Sequence, residues 1–261
     1  MNGRAVSGIW GRPPGCCSLS ARTLYSCGMA KPPVLQLRGV AKTYGTLVAV
    51  DPLDLDVQPG ECVALIGHNG SGKTTTLRLV AGLLEPTQGE VTIAGDSLRH
   101  DRSRAALSFV PDSPLLYPDL SVREHLELVG LAHGVGDRLD GRVRQLLELF
   151  DLAARADFLP GQLSRGMRQK TQLACALVRP FKLILLDEPV VGLDPPSQQA
   201  LHRVLVAAKQ DGAAILLSTH QLGFAAGLAD RAVMLHEGRM VAQGAWRSVV
   251  DGAEAGRLGL R

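Results

Sequence analysis

Residues 67–74 read Gly67-His68-Asn69-Gly70-Ser71-Gly72-Lys73-Thr74, and they follow the apolar, strand-like run Glu61 to Ile66. The helical run Thr74 to Leu79 begins where they end. Backbone N–H groups at a helix start converge on one spot, and glycines let the backbone approach an anion closely. The Lys73 ammonium can then reach terminal phosphates, and the Thr74 hydroxyl can ligate Mg²⁺. The stretch predicts a nucleotide site; the alternative is a flexible loop with a chance lysine.

Length and composition predict one α/β domain with an embellishment. The chain has 261 residues, 46% of them apolar, and its strand and helix patterns alternate without a second copy of the glycine-rich loop. The net charge of +3 comes from residues 1–33, which carry four basic side chains and no acid. The remainder has 24 basic and 25 acidic residues, so it lacks the excess of positive charge that is typical of nucleic-acid-binding proteins. Since no apolar run approaches the roughly 18 residues of a membrane span, any role at a membrane requires a partner.

Residues 1–33 differ in composition from the rest, being rich in Gly, Pro, Ser and Arg and lacking sustained periodicity. This composition predicts either a disordered leader or a translation start that is assigned too far upstream, with Met29 as the true start. A targeting peptide is a further alternative, although no continuous apolar region supports it. Cys62 and Cys175 lie in apolar runs, where an inert core thiol is the usual role, so a reducing cytoplasm is expected.

From residue 34 onwards the patterns become regular. Val34–Val40 and Val50–Val57 alternate apolar and polar residues like half-buried antiparallel strands, and Tyr44 lies between them, where it could stack on a purine ring or be an exposed turn residue. Ser121 to His133 has a capping box and helical spacing, and a second helix is predicted from Arg138 to Phe150. Helices inserted between two halves of a sheet suggest a separate lobe.

Two later segments carry polar groups suited to a nucleotide. Ser164 and Gly166 stand at the start of a predicted helix, where they could form a second anion site or a simple helix cap. The buried run Leu183 to Leu186 ends in Asp187 and Glu188, at the strand end where ligand sites of α/β sheets lie. Asp187 is positioned to hold magnesium through water, and Glu188 to orient and deprotonate an attacking water. A solvated acidic strand end is the alternative.

Six segments follow one another in a fixed order: Tyr44, Gly67–Thr74, Leu163–Met167, Leu183–Pro189, Gly192–Pro195 and Ser218–His220. Their order and spacing resemble those of the ATP-binding subunit of an ABC transporter. The resemblance covers nearly everything from Val34 to Gly244.

The resemblance implies a role for each segment. Tyr44 resembles the adenine-stacking aromatic residue, and Gly67–Thr74 resembles the Walker A loop, whose Lys73 serves catalysis. Thr75, the next residue, is counted with the nucleotide-binding residues. Ser164 and Gly166 resemble the signature residues that grip the γ-phosphate of ATP on the other subunit. Asp187 and Glu188 resemble Walker B with its general base. Asp194 would lie in the loop that the family places at the interface of the dimer. His220 resembles the switch histidine, which contacts the γ-phosphate.

The chain departs from the family pattern at two places. Asp112 stands where the family usually has glutamine, at the start of the lobe that links to the membrane subunit. It could cap the turn, or it could face the metal and take part in catalysis. The signature reads Leu-Ser-Arg-Gly-Met, so Arg165 adds charge while Ser164 and Gly166 remain. Because some exporter-type members show similar looseness at both places, these departures favour export.

The fold implied is a P-loop NTPase α/β core sheet with an N-terminal antiparallel β-subdomain and an inserted helical signature lobe. The ATP-binding domain would span residues 34–261, with the lobe at about 112–178. The function implied is hydrolysis of ATP, with Mg²⁺, to drive transport. Two copies, or this chain and a similar one, would close head to tail over two ATP molecules. Separate membrane-spanning subunits would hold the pair at the cytoplasmic face of the cell membrane, with no nucleic acid involved.

Two other classes of protein are alternatives to a transporter subunit. An ABC-type ATPase of DNA repair needs a long coiled coil between Walker A and the signature, and the 91 positions from Lys73 to Ser164 leave no room for it. Translation members usually carry two ATPase units in one chain. A non-hydrolysing regulatory subunit is disfavoured because Glu188 and His220 are both present.

Overall fold

A computed structural model describes residues 32–254, so the predicted leader lies almost wholly outside the described residues. The strands are β1 (Leu35–Tyr44), β2 (Leu47–Val57), β3 (Cys62–Ile66), β4 (Gln88–Ile93), β5 (Asp96–Ser97), β6 (Leu107–Val110), β7 (Leu183–Asp187), β8 (Ala214–Ser218), β9 (Arg231–His236) and β10 (Arg239–Ala245). The α-helices are α1 (Lys73–Val80), α2 (Asp101–Ala106), α3 (Val122–Ala132), α4 (Leu139–Leu149), α5 (Arg165–Val178), α6 (Pro195–Gln210), α7 (Leu222–Ala225) and α8 (Trp246–Glu254).

The strands form two sheets. The first has the order β2-β1-β4-β5, and all its pairs are antiparallel. The second has the order β10-β9-β3-β8-β7-β6, in which every pair is parallel except the edge pair of β9 and β10. The predicted α/β core with an N-terminal antiparallel sheet is confirmed.

The central strands β3, β7 and β8 are buried along their whole length. Because successive side chains of a strand point to opposite faces, β3 contributes to two separate cores. Val63 and Leu65 pack with the antiparallel sheet and α1, whereas Cys62, Ala64 and Ile66 pack on the side of α5 and α6. The parallel sheet therefore lies between two apolar layers that cover its faces. Polar side chains of the sheet can reach a ligand or solvent only at its edges and at the ends of its strands.

The helices α3, α4 and α5 pack against one another and form the predicted lobe. At the start of α3, the Ser121 hydroxyl accepts a hydrogen bond from the Glu124 N–H, and the Glu124 carboxylate accepts one from the Ser121 N–H. This capping box was predicted from the sequence. The second predicted helix divides into a short 3₁₀ turn, Gly136–Arg138, followed by α4.

The structure differs from the sequence prediction mainly at element ends. Strand β1 continues to Tyr44, because irregularities in its pairing with β2 let the ladder extend past Val40. The sequence pattern predicts a short strand over Leu107–Pro111, and β6 ends one residue earlier, because Pro111 has no N–H for a ladder. The helices α2, α6, α7 and α8 and the strands β5, β9 and β10 were not predicted. Within residues 32–254, no helix is both long and apolar enough to cross a membrane.

Replacing Leu65 by alanine should lower the free energy of unfolding by about 2–5 kcal/mol, because its side chain is fully buried in β3 and truncation leaves a cavity. Urea unfolding followed by circular dichroism measures the change. Leu83→Ala is the matched control, since Leu83 is 63% exposed. Equal losses in the two variants would contradict the assignment of β3 to the core between the sheets.

Candidate nucleotide site

The loop from Gly67 to Gly72 is pressed between the two sheets. Gly67 has φ +149°, and a Cβ atom there would lie 2.2 Å from the carbonyl oxygen of Leu235 in β9. Gly72 has φ +103°, and a Cβ atom there would lie 2.8 Å from the carbonyl oxygen of Ala49 in β2. L-residues rarely adopt these conformations, and a side chain has no room, so both positions require glycine.

Lys73 is the first residue of α1 and is only 6% exposed. Its Nζ donates hydrogen bonds to the carbonyl oxygens of Gly67 (2.7 Å) and His68 (2.9 Å). Burial lowers the pKa of Lys73, and the charges of Glu188 and Asp187 partly offset that effect. The ammonium therefore lies at a defined position inside the loop, where a phosphate could approach it.

The other residues of the loop differ in exposure. His68, Asn69 and Gly70 form its exposed tip, and Thr75 is half-buried in α1. The Ser71 hydroxyl is buried and has no hydrogen-bond partner in the part of the chain that the structure describes. A buried hydroxyl without a partner is costly, so its presence in the loop fits a ligand that supplies acceptor oxygens.

Asp187 ends strand β7 and is 1% exposed. Its Oδ1 accepts a hydrogen bond from the Ser218 hydroxyl, whereas its Oδ2 has no partner among the described residues. Burial raises the pKa of Asp187, hydrogen bonds from Ser218 and Thr74 oppose the rise, and the negative charges of Asp112 and Glu188 add to it. A buried carboxylate beside the Thr74 hydroxyl is a donor set that fits Mg²⁺.

Glu188 follows Asp187 directly and has φ +48°, which is uncommon for a residue with a side chain. Its N–H donates to the carbonyl oxygen of Ser218 at 3.1 Å. The Glu188 carboxylate is largely buried, and its Oε2 lies 2.9 Å from Nδ1 of His220 and 3.3 Å from the His220 backbone nitrogen. The structure thus brings together the two residues predicted for water activation and phosphate sensing.

Asp112 lies just beyond β6, which is the parallel neighbour of β7. Its carboxylate is exposed, and its charge reaches Asp187 strongly enough to raise the pKa of that residue. Asp112 and Asp187 therefore belong to the same edge of the sheet. This position is compatible with the metal-facing alternative as well as with a turn former.

Tyr44 lies at the end of β1 and is 49% exposed. The Lys42 Nζ lies 5.2 Å from its ring centre. The adjoining strand β2 touches the phosphate loop through the carbonyl oxygen of Ala49, so the β1–β2 hairpin stands beside the loop. An exposed aromatic ring at this place is suited to stacking on a base.

Ser164 caps α5, and its hydroxyl accepts a hydrogen bond from the Met167 N–H at 3.2 Å. A Cβ atom at Gly166 would lie 2.6 Å from the carbonyl oxygen of Gly192, so α5 approaches the Gly192–Pro195 loop closely. Across residues 32–254, no hydrogen bond or ion pair joins Ser164 or Gly166 to the phosphate loop. Within one chain, therefore, the predicted signature residues make no polar contact with the phosphate loop.

Two contacts of the site were missed by sequence reasoning. Ser218 orients Asp187, and the signal available was a hydroxyl at the end of the apolar run before His220. Lys170 is nearly buried in α5 and its Nζ lies 3.2 Å from Oδ2 of Asp194. No sequence spacing links those two residues, because they meet only through packing.

Comparison with known proteins agrees with this geometry. The sequence profile described as ABC transporter matches residues 50–191, which is more than half of the chain. The chain belongs to the ABC transporter ATP-binding family. As a member of this family it binds ATP and hydrolyses it.

Two relatives illustrate the similarity. The Nod factor export ATP-binding protein I of Cupriavidus metallidurans is 39% identical over 221 residues, which cover 84% of this chain and 73% of that protein. The SkfA peptide export ATP-binding protein SkfE of Bacillus subtilis is 37% identical over 209 residues, which cover 80% and 87%.

Solved structures show the same fold. An ATP-binding subunit of an ABC transporter superposes with a TM-score of 0.79 at 36% identity, covering 87% of this chain and 94% of that one. A dimeric ATP-binding cassette in a post-hydrolysis state, bound to ADP and Pi, superposes with a TM-score of 0.75 at 28% identity, covering 82% and 99%.

Replacing Asp187 by asparagine should stabilise the nucleotide-free protein by about 1–3 kcal/mol near neutral pH, since a buried charge is removed and an acceptor for Ser218 is kept. The pKa of Asp187 is raised from 3.8 on folding, so the folded chain binds more protons above that pH. The carboxylate therefore costs stability as pH rises through this window, and the advantage of Asp187→Asn should grow from about pH 4 upwards.

Urea unfolding of both proteins between about pH 4 and pH 8 measures the difference. Asp211→Asn is the control, because Asp211 is exposed at the end of α6. A stability difference that is independent of pH, or that falls as pH rises, would contradict the burial of the Asp187 charge.

Proposed function

We propose that this chain is the ATP-hydrolysing subunit of an export system, bound at the cytoplasmic face of the cell membrane to separate membrane-spanning subunits. The observation that carries the proposal is the convergence of Lys73, Thr74, Asp187, Glu188 and His220 at one edge of the parallel sheet. Export is supported by the names of the Nod factor and SkfA peptide relatives and by the loosened signature sequence.

The proposed site assigns a task to each residue. Tyr44 stacks on the adenine, the phosphate loop with Lys73 binds the phosphates, and Thr74 with Asp187 would hold Mg²⁺. When bound, the metal would neutralise charge on the phosphate oxygens. Glu188 orients and deprotonates the attacking water, and His220 contacts the γ-phosphate while its Nδ1 fixes the Glu188 carboxylate.

Ser164 and Gly166 complete the site of a second subunit in this proposal. Their separation from the phosphate loop within one chain and the dimeric state of related cassettes support a head-to-tail pair. Both a homodimer and a pair with a similar chain satisfy the geometry. The lobe surface from about 112 to 136, which exposes Leu115, Tyr117 and Leu131, is the proposed docking site for the membrane-spanning subunits.

Glu188→Gln should bind ATP but lose at least about a hundredfold in turnover, because the general base is removed while the phosphate loop is kept. Phosphate release at saturating ATP measures turnover. The same variant should dimerise in ATP, since the bridging nucleotide is no longer consumed, and size-exclusion chromatography with ATP tests this.

Glu148→Gln is the matched control for that experiment, as Glu148 is exposed on α4, away from the site. Near-normal turnover of Glu188→Gln would overturn the role of Glu188. A monomer at saturating ATP would mean that this chain pairs with a different subunit.

Asp112 should make ATP binding strongly dependent on magnesium. A carboxylate beside the triphosphate is unfavourable unless a metal lies between them, so the wild-type affinity should fall about tenfold or more without the metal. Asp112→Gln should reduce this dependence. Asp112→Ala should also lower hydrolysis coupled to the membrane partner more than basal hydrolysis, because the link to the lobe is lost.

ATP affinity with and without magnesium is measured in a Glu188→Gln background, so that ATP is not consumed, and the coupled rate is measured in proteins that keep Glu188. Asp119→Gln is the control, since Asp119 is an exposed carboxylate further along the same segment. If the Asp112 variants keep the wild-type magnesium dependence and coupled rate, Asp112 is only a turn former between Pro111 and Pro114.

A further inference from the structure

Residues 112–120, here called the linking segment, join β6 to α3 without forming a helix or strand. Such a segment has no backbone ladder to fix its course. Two of its backbone N–H groups are instead held by side chains from two helices. The Leu115 N–H donates to Oε1 of Gln172 in α5 at 2.9 Å, and the Tyr117 N–H donates to Nε2 of His125 in α3 at 2.8 Å.

His125 is built to accept this hydrogen bond. Its side chain is 4% exposed, and its Nδ1 lies 2.7 Å from the carbonyl oxygen of Ser121, which can only accept. Nδ1 therefore carries the proton, and Nε2 is left as the acceptor for Tyr117. The imidazole ring also stacks on the ring of Tyr117, with centroids 6.0 Å apart. The anchor thus fixes both the backbone and the side chain of Tyr117.

Gln172 belongs to the helix that starts with the signature residues. It follows Ser164 by eight positions, or about two helical turns, so the same rigid helix carries Ser164 at its start and holds Leu115 further along. A displacement of α5 would therefore move the Leu115 N–H with it.

Leu115, whose N–H is held by Gln172, lies close to Asp112 along a conformationally restricted stretch of chain. Only Ser113 and Pro114 separate Asp112 from Leu115, and Pro111 precedes Asp112. Proline fixes φ near −65°, so few conformations connect the end of β6 to an anchored Leu115. Fixing the Leu115 N–H therefore limits where the Asp112 carboxylate can lie relative to Asp187.

We infer that Gln172 and His125 are positioning residues that hold Asp112 at the nucleotide site and tie its position to the signature helix. The inference rests on the proposed role of Asp112. Gln172 makes the position of Asp112 depend on α5, and His125 makes it depend on α3.

The experiment compares two kinds of replacement in the full-length chain. His125→Phe and Gln172→Leu keep approximate size but remove the acceptors, whereas His125→Gln and Gln172→Glu supply an acceptor oxygen. His133→Phe and Gln145→Leu are the matched controls at exposed positions of the same lobe. For each protein, kcat and KM for ATP hydrolysis and the hydrogen-exchange rates of the Leu115 and Tyr117 amides are measured.

Removing an acceptor should speed exchange of its own amide by about tenfold, the effect of losing one hydrogen bond. It should lower kcat towards the value for Asp112→Ala with little change in KM. The acceptor-bearing variants should restore kcat to within about twofold. In an Asp112→Ala background, removing either acceptor should cause no further loss of kcat, because both act through Asp112.

Additive losses in the Asp112→Ala background, or faster exchange with unchanged kcat, would overturn the inference and leave the anchors with a structural role only. If Asp112→Ala lowers kcat but neither acceptor variant does, the inference fails while the role of Asp112 stands. If Asp112→Ala leaves kcat unchanged, the inference fails, and the role of Asp112 is decided by the magnesium dependence of ATP binding and by the coupled rate. Should His125→Phe fail to fold, Gln172→Leu decides the question alone, because Gln172 is only half-buried.

Discussion

Asp187 is a carboxylate on the last residue of a strand that is buried along its whole length, and the organisation of the site depends on this placement. A charge in such surroundings is tolerated only with partners. Ser218 and Thr74 donate hydrogen bonds to it, and the Lys73 ammonium lies near enough to interact with its charge. Ser218 ends β8, whereas Lys73 and Thr74 begin α1, so the buried charge holds the ends of β7 and β8 and the start of α1 in one arrangement.

The lobe is joined to this edge by contacts of a different kind. Gly166 lets α5 approach the carbonyl oxygen of Gly192. The Lys170 ammonium of α5 forms an ion pair with the Asp194 carboxylate in the same Gly192–Pro195 loop. The linking segment, which follows the neighbouring strand β6, provides a second connection through its hydrogen bond to Gln172. Helix α5 is therefore in contact both with the Gly192–Pro195 loop and with the segment that follows Asp112, although Ser164 and Gly166 make no hydrogen bond or ion pair with the phosphate loop among the described residues.

Local chemistry explains what the sequence predicted correctly. The phosphate loop, the capping box at Ser121 and the buried strand ending at Asp187 each depend on residues close together in the chain. The Lys170–Asp194 pair and the Gln172–Leu115 hydrogen bond could not be predicted, because they depend on how α5 packs. Strand β1 was predicted too short because pairing irregularities have no sequence signature as plain as an alternating pattern. The leader, outside the described residues, stays a prediction.

The close approaches of Gly67 to β9 and of Gly72 to β2 set the phosphate loop at the seam of the two sheets. Strand β2 is also fastened to the β9–β10 turn, because the Asp51 N–H donates to the carbonyl oxygen of Gly238 at 2.8 Å. At the proposed nucleotide site, the space for the triphosphate would therefore depend on the distance between the two sheets. Changes in the packing of Val63 and Leu65, which lie between the sheets, would then alter the affinity for ATP as well as the stability of the fold.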